Sequence, residues 1–196
     1  MKRKCIMTAK DERFIKCISD NVETILSLQE QLNKINLTID LIYKTLKNKK
    51  KIFICGNGGS ASQAEHFSTE FLVRLNKNVN REPLPIIPLV LNNSHLTACA
   101  NDYEFKVVFS KTLKALGEKG DCLIVLTTSG NSKNILDVLK TSKKLKIKSI
   151  AFLGKKSLKG LANINLQVTN NDTARIQEAH LLLGHFILNE VEKKLF

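Results

Sequence analysis

The sequence predicts an α/β protein: a three-layer αβα sandwich with a mostly parallel five-stranded sheet and additional helices at the N-terminus. Three observations lead to this fold class. After residue 50, short apolar runs alternate with segments of helical periodicity, which is the order of repeated β–α units. Asp121–Leu126 is almost continuously apolar, which is typical of a parallel strand covered by helices on both faces. Residues 10–47 instead carry apolar side chains at the i, i+3, i+4 spacing of amphipathic helices.

The elements follow from these patterns in chain order. Residues 10–47 predict two helices with a break near Ser19–Asn21. Strands are expected at Lys51–Cys55, Ile86–Leu91, Asp121–Leu126, Ile147–Leu153 and Ile164–Val168. Helices are expected from Ser60 to about Leu75, from Tyr103 to Leu116, from Lys133 to about Leu145 and from Thr173 to the C-terminus, with a short helical turn within Asn92–Asn101. Pro88 favours an edge position for the second strand, because proline cannot donate a ladder hydrogen bond.

Composition and charge favour a single-domain globular protein over one that binds nucleic acid. With 196 residues, of which 43% are hydrophobic, the chain is long enough to fold as one domain with a substantial core. The formal net charge is +13, but it comes mostly from scattered lysines without interleaved aromatic residues. This pattern favours a solvated surface over contact with nucleic acid.

The sequence also limits the cellular location that we expect. No apolar run reaches the roughly 18–20 residues of a membrane span, and the N-terminus lacks the apolar core of a secretory signal, so we expect no membrane partner. The five cysteines form no C-x-x-C pair, which favours reduced thiols in a cytoplasmic protein.

The first candidate site is a glycine-rich turn between a strand and a helix, Gly56–Gly59, followed by Ser60. The first N–H groups of a helix lack intrahelical partners and can bind an anion, which the glycines allow to approach closely. Ser60 could cap the helix or contact the anion. Ser60 in place of lysine excludes a Walker A loop, and Ala61 in place of a third glycine excludes the dinucleotide fingerprint. A phosphate site and a plain strand-to-helix turn both remain open.

Two further features accompany this loop. His66 and Glu70 are four residues apart and therefore share a helix face, as an acid/base pair, a metal-binding pair or an ordinary polar couple would. The second loop, Thr127–Ser132, again joins a strand to a helix and is rich in hydroxyl groups. Because ligands bind beyond the carboxyl ends of parallel strands, the two loops together predict a phosphate site.

The last helix carries polar residues among apolar ones. At about 100° per residue, Gln177 and His185 are roughly 80° apart around the helix and could converge on one ligand. His180 and His185 are about 140° apart, so we do not expect both in one small site. A single histidine on an apolar face is more often a hydrogen-bonded core residue than a functional one.

Several segments, taken together and in order, resemble the phosphoheptose isomerases (sedoheptulose 7-phosphate isomerases), a bacterial family with the sugar isomerase (SIS) fold. The resemblance covers about residues 45–195. It rests on Gly56–Ser60, His66–Phe67, Glu70, Arg74, Asn101–Tyr103, Thr128–Ser132 and Thr173–His180.

The resemblance implies an enzyme that converts a phosphorylated ketoheptose, sedoheptulose 7-phosphate, to D-glycero-D-manno-heptose 7-phosphate through an enediol, for surface glycans such as lipopolysaccharide or capsule. It implies phosphate contacts from Ser60, Thr127, Thr128, Ser129 and Ser132. It implies sugar contacts from Asn57, Gly58, Gly59, Glu70, Asn101, Asp102 and Gln177. It also implies Glu70 as the base, His185 as its acid/base partner, and one Zn²⁺ per subunit on His66, Glu70, Gln177 and His185.

The resemblance further implies a homo-oligomer, a tetramer with active sites at subunit interfaces. We therefore expect residues 1–48 to form an N-terminal helical segment that packs on the domain and the subunit interface, and residues 49–196 to form the SIS domain. The family's first serine of the second loop is Thr127 here, and the glycine cluster after the fourth strand is missing, which leaves substrate detail open.

Three alternatives remain at this point. They are a non-catalytic SIS protein that binds a replication initiator, a regulator that senses a phosphosugar, and an isomerase of another phosphosugar. The presence of both Glu70 and His185 favours an enzyme, and no helix-turn-helix extension supports a regulator.

Overall fold

The computed structural model describes residues 7–156, 158 and 160–196. Cys5 and the rest of the first six residues of the expected N-terminal segment lie outside these ranges. Among the described residues, no helix has the length and hydropathy of a membrane span.

Seven helices and five strands are described in these ranges. The helices are α1 (Ala9–Leu26), α2 (Leu32–Lys47), α3 (Gly59–Leu72), α4 (Asn93–Asp102), α5 (Val108–Leu116), α6 (Lys133–Lys144) and α7 (Thr173–Leu195). The strands are β1 (Ile52–Gly56), β2 (Ile86–Pro88), β3 (Cys122–Thr127), β4 (Lys148–Leu153) and β5 (Ile164–Gln167). Short 3₁₀ turns at Ser27–Gln31 and Phe105–Val107 precede α2 and α5.

The sheet is parallel throughout, in the order β2-β1-β3-β4-β5, which confirms the predicted fold class. β2 is an edge strand, as Pro88 indicated, and it ends at that proline rather than continuing to Leu91. β3 lies at the centre with all six residues buried. Its alternate side chains serve two separate cores: Ile124 packs with α2, α3 and α7, whereas Val125 packs with α5 and α6.

The predicted break in the N-terminal helices was wrong in position. The hydroxyl of Ser19 donates to the carbonyl of Ile15, so α1 accommodates the serine and continues to Leu26. The chain leaves the α-helix at Ser27–Gln31 instead. There the Gln31 side chain exchanges two hydrogen bonds with the backbone of Gln167 and covers the open edge of β5.

Other elements also differ from expectation: α5 begins at Val108 rather than at Tyr103, after the 3₁₀ turn at Phe105–Val107. α4 is a ten-residue helix rather than a short turn, because the Asn92 side chain accepts from the N–H of His95 and caps its N-terminus. α3 ends at Leu72, earlier than expected, where the Arg81 side chain binds its last carbonyl groups.

Candidate active site

The glycine loop connects β1 to α3 at the carboxyl end of the sheet. Gly58 is the residue before the helix and has a φ of 55°, which favours glycine. Among the described residues, no side chain caps this helix; the N–H groups of Ser60 and Ala61 donate to the carbonyls of Asn57 and Gly58, whereas the N–H of Gly59 has no such partner and is available for an anion. Ser60 is buried and lies in the first turn. A Cβ added to Gly59 would lie 2.5 Å from the Nε2 atom of Gln177, so α7 contacts the loop directly.

The second loop connects β3 to α6 beside the first. Thr127 is buried and its hydroxyl accepts from the N–H of Gly130 at 3.2 Å. The hydroxyl of Ser129 accepts from the N–H of Asn131 at 3.4 Å. Ser132 precedes α6 without capping it through its side chain. The Thr127 hydroxyl therefore helps to shape the turn.

His66 and Glu70 on α3 meet His185 on α7. The Nε2 atoms of the two histidines lie 2.7 Å apart, and Oε1 of Glu70 lies 3.7 Å from Nε2 of His66. One ligand atom from each residue lies within 4.8 Å of the others. Glu70 and His185 are half-buried and His66 is exposed, so a small molecule can reach the cluster.

Close packing of α3 against α7 brings these side chains together. Gly184 precedes His185, and a Cβ added there would lie 2.0 Å from Cζ of Phe67, the neighbour of His66. The Phe67 ring meets the His185 ring edge-on at 5.8 Å between centroids. The absence of a side chain at Gly184 therefore sets the distance between the two helices.

The donor set fits a divalent cation. Two imidazole nitrogens and a carboxylate oxygen are ligands that suit Zn²⁺, and nitrogen atoms only 2.7 Å apart cannot both carry a proton. The described contacts of Gln177 are with the first loop and the start of α3: its side chain lies against Gly59, and its carbonyl accepts from the Gln63 amide at 2.7 Å.

The remaining histidine of α7 serves the core. His180 is fully buried, and its Nε2 atom donates to the carbonyl of Leu153 at 3.2 Å. Burial lowers the pKa of this imidazole to about 4, so it is neutral at pH 7.

Asp102 is not among the clustered ligand residues, and Asn101 is its neighbour in the chain. Both are exposed at the end of α4, where the Asn101 amide donates to the Asp102 carboxylate at 2.9 Å. Among the described residues, no side-chain hydrogen bond joins them to either loop. An open cavity of about 490 Å³ adjoins His185, and its other lining residues are Leu75, Asn76, Lys77, Phe186 and Asn189.

Sequence reasoning missed two polar pairs near the site, each with at least one buried member. Asn134 exchanges hydrogen bonds with Asn57 of the glycine loop. Arg81 forms a buried ion pair with Glu192 of α7 at 2.6 Å and also donates to the carbonyl of Glu70. Both pairs join residues that are far apart in the sequence, so no local pattern could predict them. The only available signal was a buried position for a polar residue, as at Asn134 between apolar neighbours of an amphipathic helix.

Comparison with known proteins gives a consistent result. A family model described as SIS domain matches residues 13–154. The chain is 38% identical over 187 residues to a phosphoheptose isomerase of Clostridium acetobutylicum, with 94% of each chain covered. It is 43% identical over 164 residues to that of Campylobacter concisus, covering 83% of this chain and 86% of the relative.

Two solved structures of phosphoheptose isomerases are also similar. The protein from Neisseria gonorrhoeae aligns with a TM-score of 0.86 at 32% identity, over 94% of this chain and 100% of that chain. The protein from Francisella tularensis aligns with a TM-score of 0.88 at 31% identity, over 95% of this chain and 100% of that chain.

Proposed function

This chain belongs to the phosphoheptose isomerases of the SIS-domain family, and on that basis we propose that it converts sedoheptulose 7-phosphate to D-glycero-D-manno-heptose 7-phosphate through an enediol. The observation that carries the proposal is the meeting of Glu70 and His185, from two separate helices, beside His66. The relatives described above are phosphoheptose isomerases and give no support to the non-catalytic alternatives.

The two loops bind the phosphate in this proposal. The N-termini of α3 and α6 offer N–H groups, and the hydroxyls that accompany them belong to Ser60, Thr127, Thr128, Ser129 and Ser132. The rest of the sugar contacts Asn57, Gly58, Gly59, Asn101, Asp102 and Gln177. The contact of Gln177 with Gly59 supports its inclusion, because it brings α7 to the rim of the first loop.

Two side chains transfer the protons. Glu70 accepts the proton from C1 of the ketose and returns it at C2, which interconverts ketose and aldose through the enediol. His185 moves the second proton, from the hydroxyl oxygen on C1 to the carbonyl oxygen on C2. The half-buried positions of both groups support this assignment, because partial exclusion of water strengthens the electrostatic interactions of the site.

His66, Glu70, Gln177 and His185 would hold one Zn²⁺ per subunit. A bound Zn²⁺ would supply a Lewis acid that polarises the carbonyl of the substrate. The clustering of His66, Glu70 and His185 supports this part of the proposal.

The assembly that we propose is a homotetramer. α1 exposes a row of large apolar side chains, and α7 exposes two more close to His185; they are Phe14, Ile15, Ile18, Val22, Leu26, Leu182 and Phe186. A contiguous exposed apolar face is typical of an interface. In this proposal residues 1–48 pack on the domain formed by 49–196 and on neighbouring subunits.

The four described cysteines are free, which supports a reducing compartment such as the cytoplasm, where the product would enter surface glycan synthesis.

The test is an assay with sedoheptulose 7-phosphate on the purified protein. We expect turnover by the wild-type protein and loss of turnover in Glu70→Gln, because an amide cannot act as the base. Glu65→Gln is the matched control, since Glu65 is exposed on the same helix and lies outside the cluster. Full activity of Glu70→Gln would refute the assignment of the base, and no turnover of any ketose phosphate by the wild-type protein would refute the proposed function.

A further inference from the structure

The two loops of the site are cross-linked by a pair of asparagines. The Asn57 amide donates to the side-chain oxygen of Asn134 at 2.9 Å, and the Asn134 amide donates back to the side-chain oxygen of Asn57 at 2.8 Å. Asn57 belongs to the glycine loop after β1, whereas Asn134 is the second residue of α6, after the second loop. The pair therefore joins the two segments that surround the proposed phosphate site.

Asn134 is held firmly in place. Its residue exposure is only 2%, and its side-chain oxygen also accepts from the N–H of Ile135 at 3.0 Å. A buried amide is costly unless it has hydrogen-bond partners, so the orientation that satisfies these bonds is strongly preferred. Asn57, which is only partly buried, is thereby oriented by a rigid neighbour.

The asparagine pair lies beyond the carboxyl ends of β1 and β3, where sheet hydrogen bonds no longer connect the two segments. β1 and β3 are in register up to Gly56 and Leu126, and the two loops begin just beyond this point. In the described part of the chain, the asparagine pair supplies the side-chain hydrogen bonds between the glycine loop and the start of α6. A phosphate that contacts both helix N-termini requires a fixed separation between them, since hydrogen bonds weaken steeply with distance and angle.

We infer that Asn134 is a positioning residue that acts through Asn57 to fix the separation of the two phosphate-binding loops. This inference rests on the proposed function. It predicts that Asn134 controls affinity for the phosphate group rather than proton transfer, because the α3–α7 contact that carries Glu70 and His185 is formed elsewhere.

The test is a double-mutant cycle with Asn134→Leu, Asn57→Ala and the double variant. Asn134→Leu should weaken the binding of inorganic phosphate, measured by calorimetry, by about tenfold. It should raise KM for sedoheptulose 7-phosphate by a similar factor and leave kcat within about twofold of wild type. If Asn134 acts through Asn57, Asn134→Leu should have no further effect on phosphate affinity in the Asn57→Ala background.

Ser142→Ala is the control for a general loss of stability. Ser142 is a buried polar residue at the other end of α6, and its loss should lower the melting temperature without changing phosphate affinity. The inference is overturned if Asn134→Leu binds phosphate as wild type does, if it lowers kcat at unchanged KM, or if the effects of the two single substitutions add. A wild-type protein without isomerase activity would contradict the proposed function alone, because the phosphate titrations would still decide the role of Asn134.

Discussion

Replacement of Gly184 by alanine is expected to separate the two helices that carry the proposed acid/base pair. The new Cβ would lie 2.0 Å from Cζ of Phe67 and 2.5 and 2.6 Å from two other ring atoms, so rotation of the ring does not relieve the clash. An ordinary contact begins at 3.4 Å, so α3 and α7 must move apart locally by roughly 1.4 Å.

The expected loss of Zn²⁺ affinity follows from the geometry of the cluster. Zinc sites tolerate ligand displacements of about 0.2 Å, whereas the displacement here is several times larger. We therefore expect the affinity for Zn²⁺ to fall by a factor of the order of 100, with loss of isomerase activity. Alanine is favoured over glycine within a helix by about 1 kcal/mol, so a fall in stability, expected at about 1–3 kcal/mol, would arise from overpacking.

The assay is competition for Zn²⁺ with a chromophoric chelator, together with the melting temperature of the metal-free protein. Phe67→Leu in the Gly184→Ala background removes the atoms that clash and should restore a substantial part of the Zn²⁺ affinity. Wild-type affinity and activity in Gly184→Ala would refute the role of this contact. Equal loss in the single and double variants would show that the ring of Phe67 is not the cause.

Three further outcomes are expected. Burial lowers the pKa of His180 to about 4, below its unfolded value of 6.5, so the unfolded chain binds a proton first as the pH falls. The free energy of unfolding should therefore decrease between pH 6.5 and 4, by up to about 3 kcal/mol from this residue. Urea unfolding should show a smaller decrease in His180→Gln, and a decrease equal to that of wild type would exclude His180 as its cause. Arg81→Met should destabilise the fold by about 3–5 kcal/mol because it leaves Glu192 buried and unpaired, and adding Glu192→Met should recover part of this loss; a more unstable double variant would rule out the ion pair as the cause. Removal of bound metal with a chelator should abolish turnover, and readdition of Zn²⁺ should restore it, whereas a chelated sample that keeps its rate would exclude a metal in the reaction.

The features that could be predicted from the sequence are those set by neighbouring residues. The apolar run of β3, the edge position of Pro88 and the two strand-to-helix loops each depend on a few consecutive positions. The 3.6-residue period likewise placed His66 and Glu70 on one face of α3.

The remaining features depend on partners that are distant in the sequence. The break before α2 lies where Gln31 can reach Gln167, which is 136 residues away, and periodicity alone gave a wrong position near Ser19. Asn134 acquires its role only when β1 and β3 lie side by side, because its partner is 77 residues away. The angular arithmetic on α7 allowed Gln177 and His185 to converge but could not reveal which loop or helix each of them contacts.

The distance of α7 from α3 along the chain has a consequence for synthesis. His66 and His185 are separated by 119 residues, and α7 leaves the ribosome after the elements that form both loops. Both proposed phosphate-binding loops and the asparagine pair that joins them are complete by residue 134. A nascent chain whose α7 is still inside the ribosome is thus expected to present the two loops without the proposed acid/base pair, so that conversion of the sugar begins only when α7 docks.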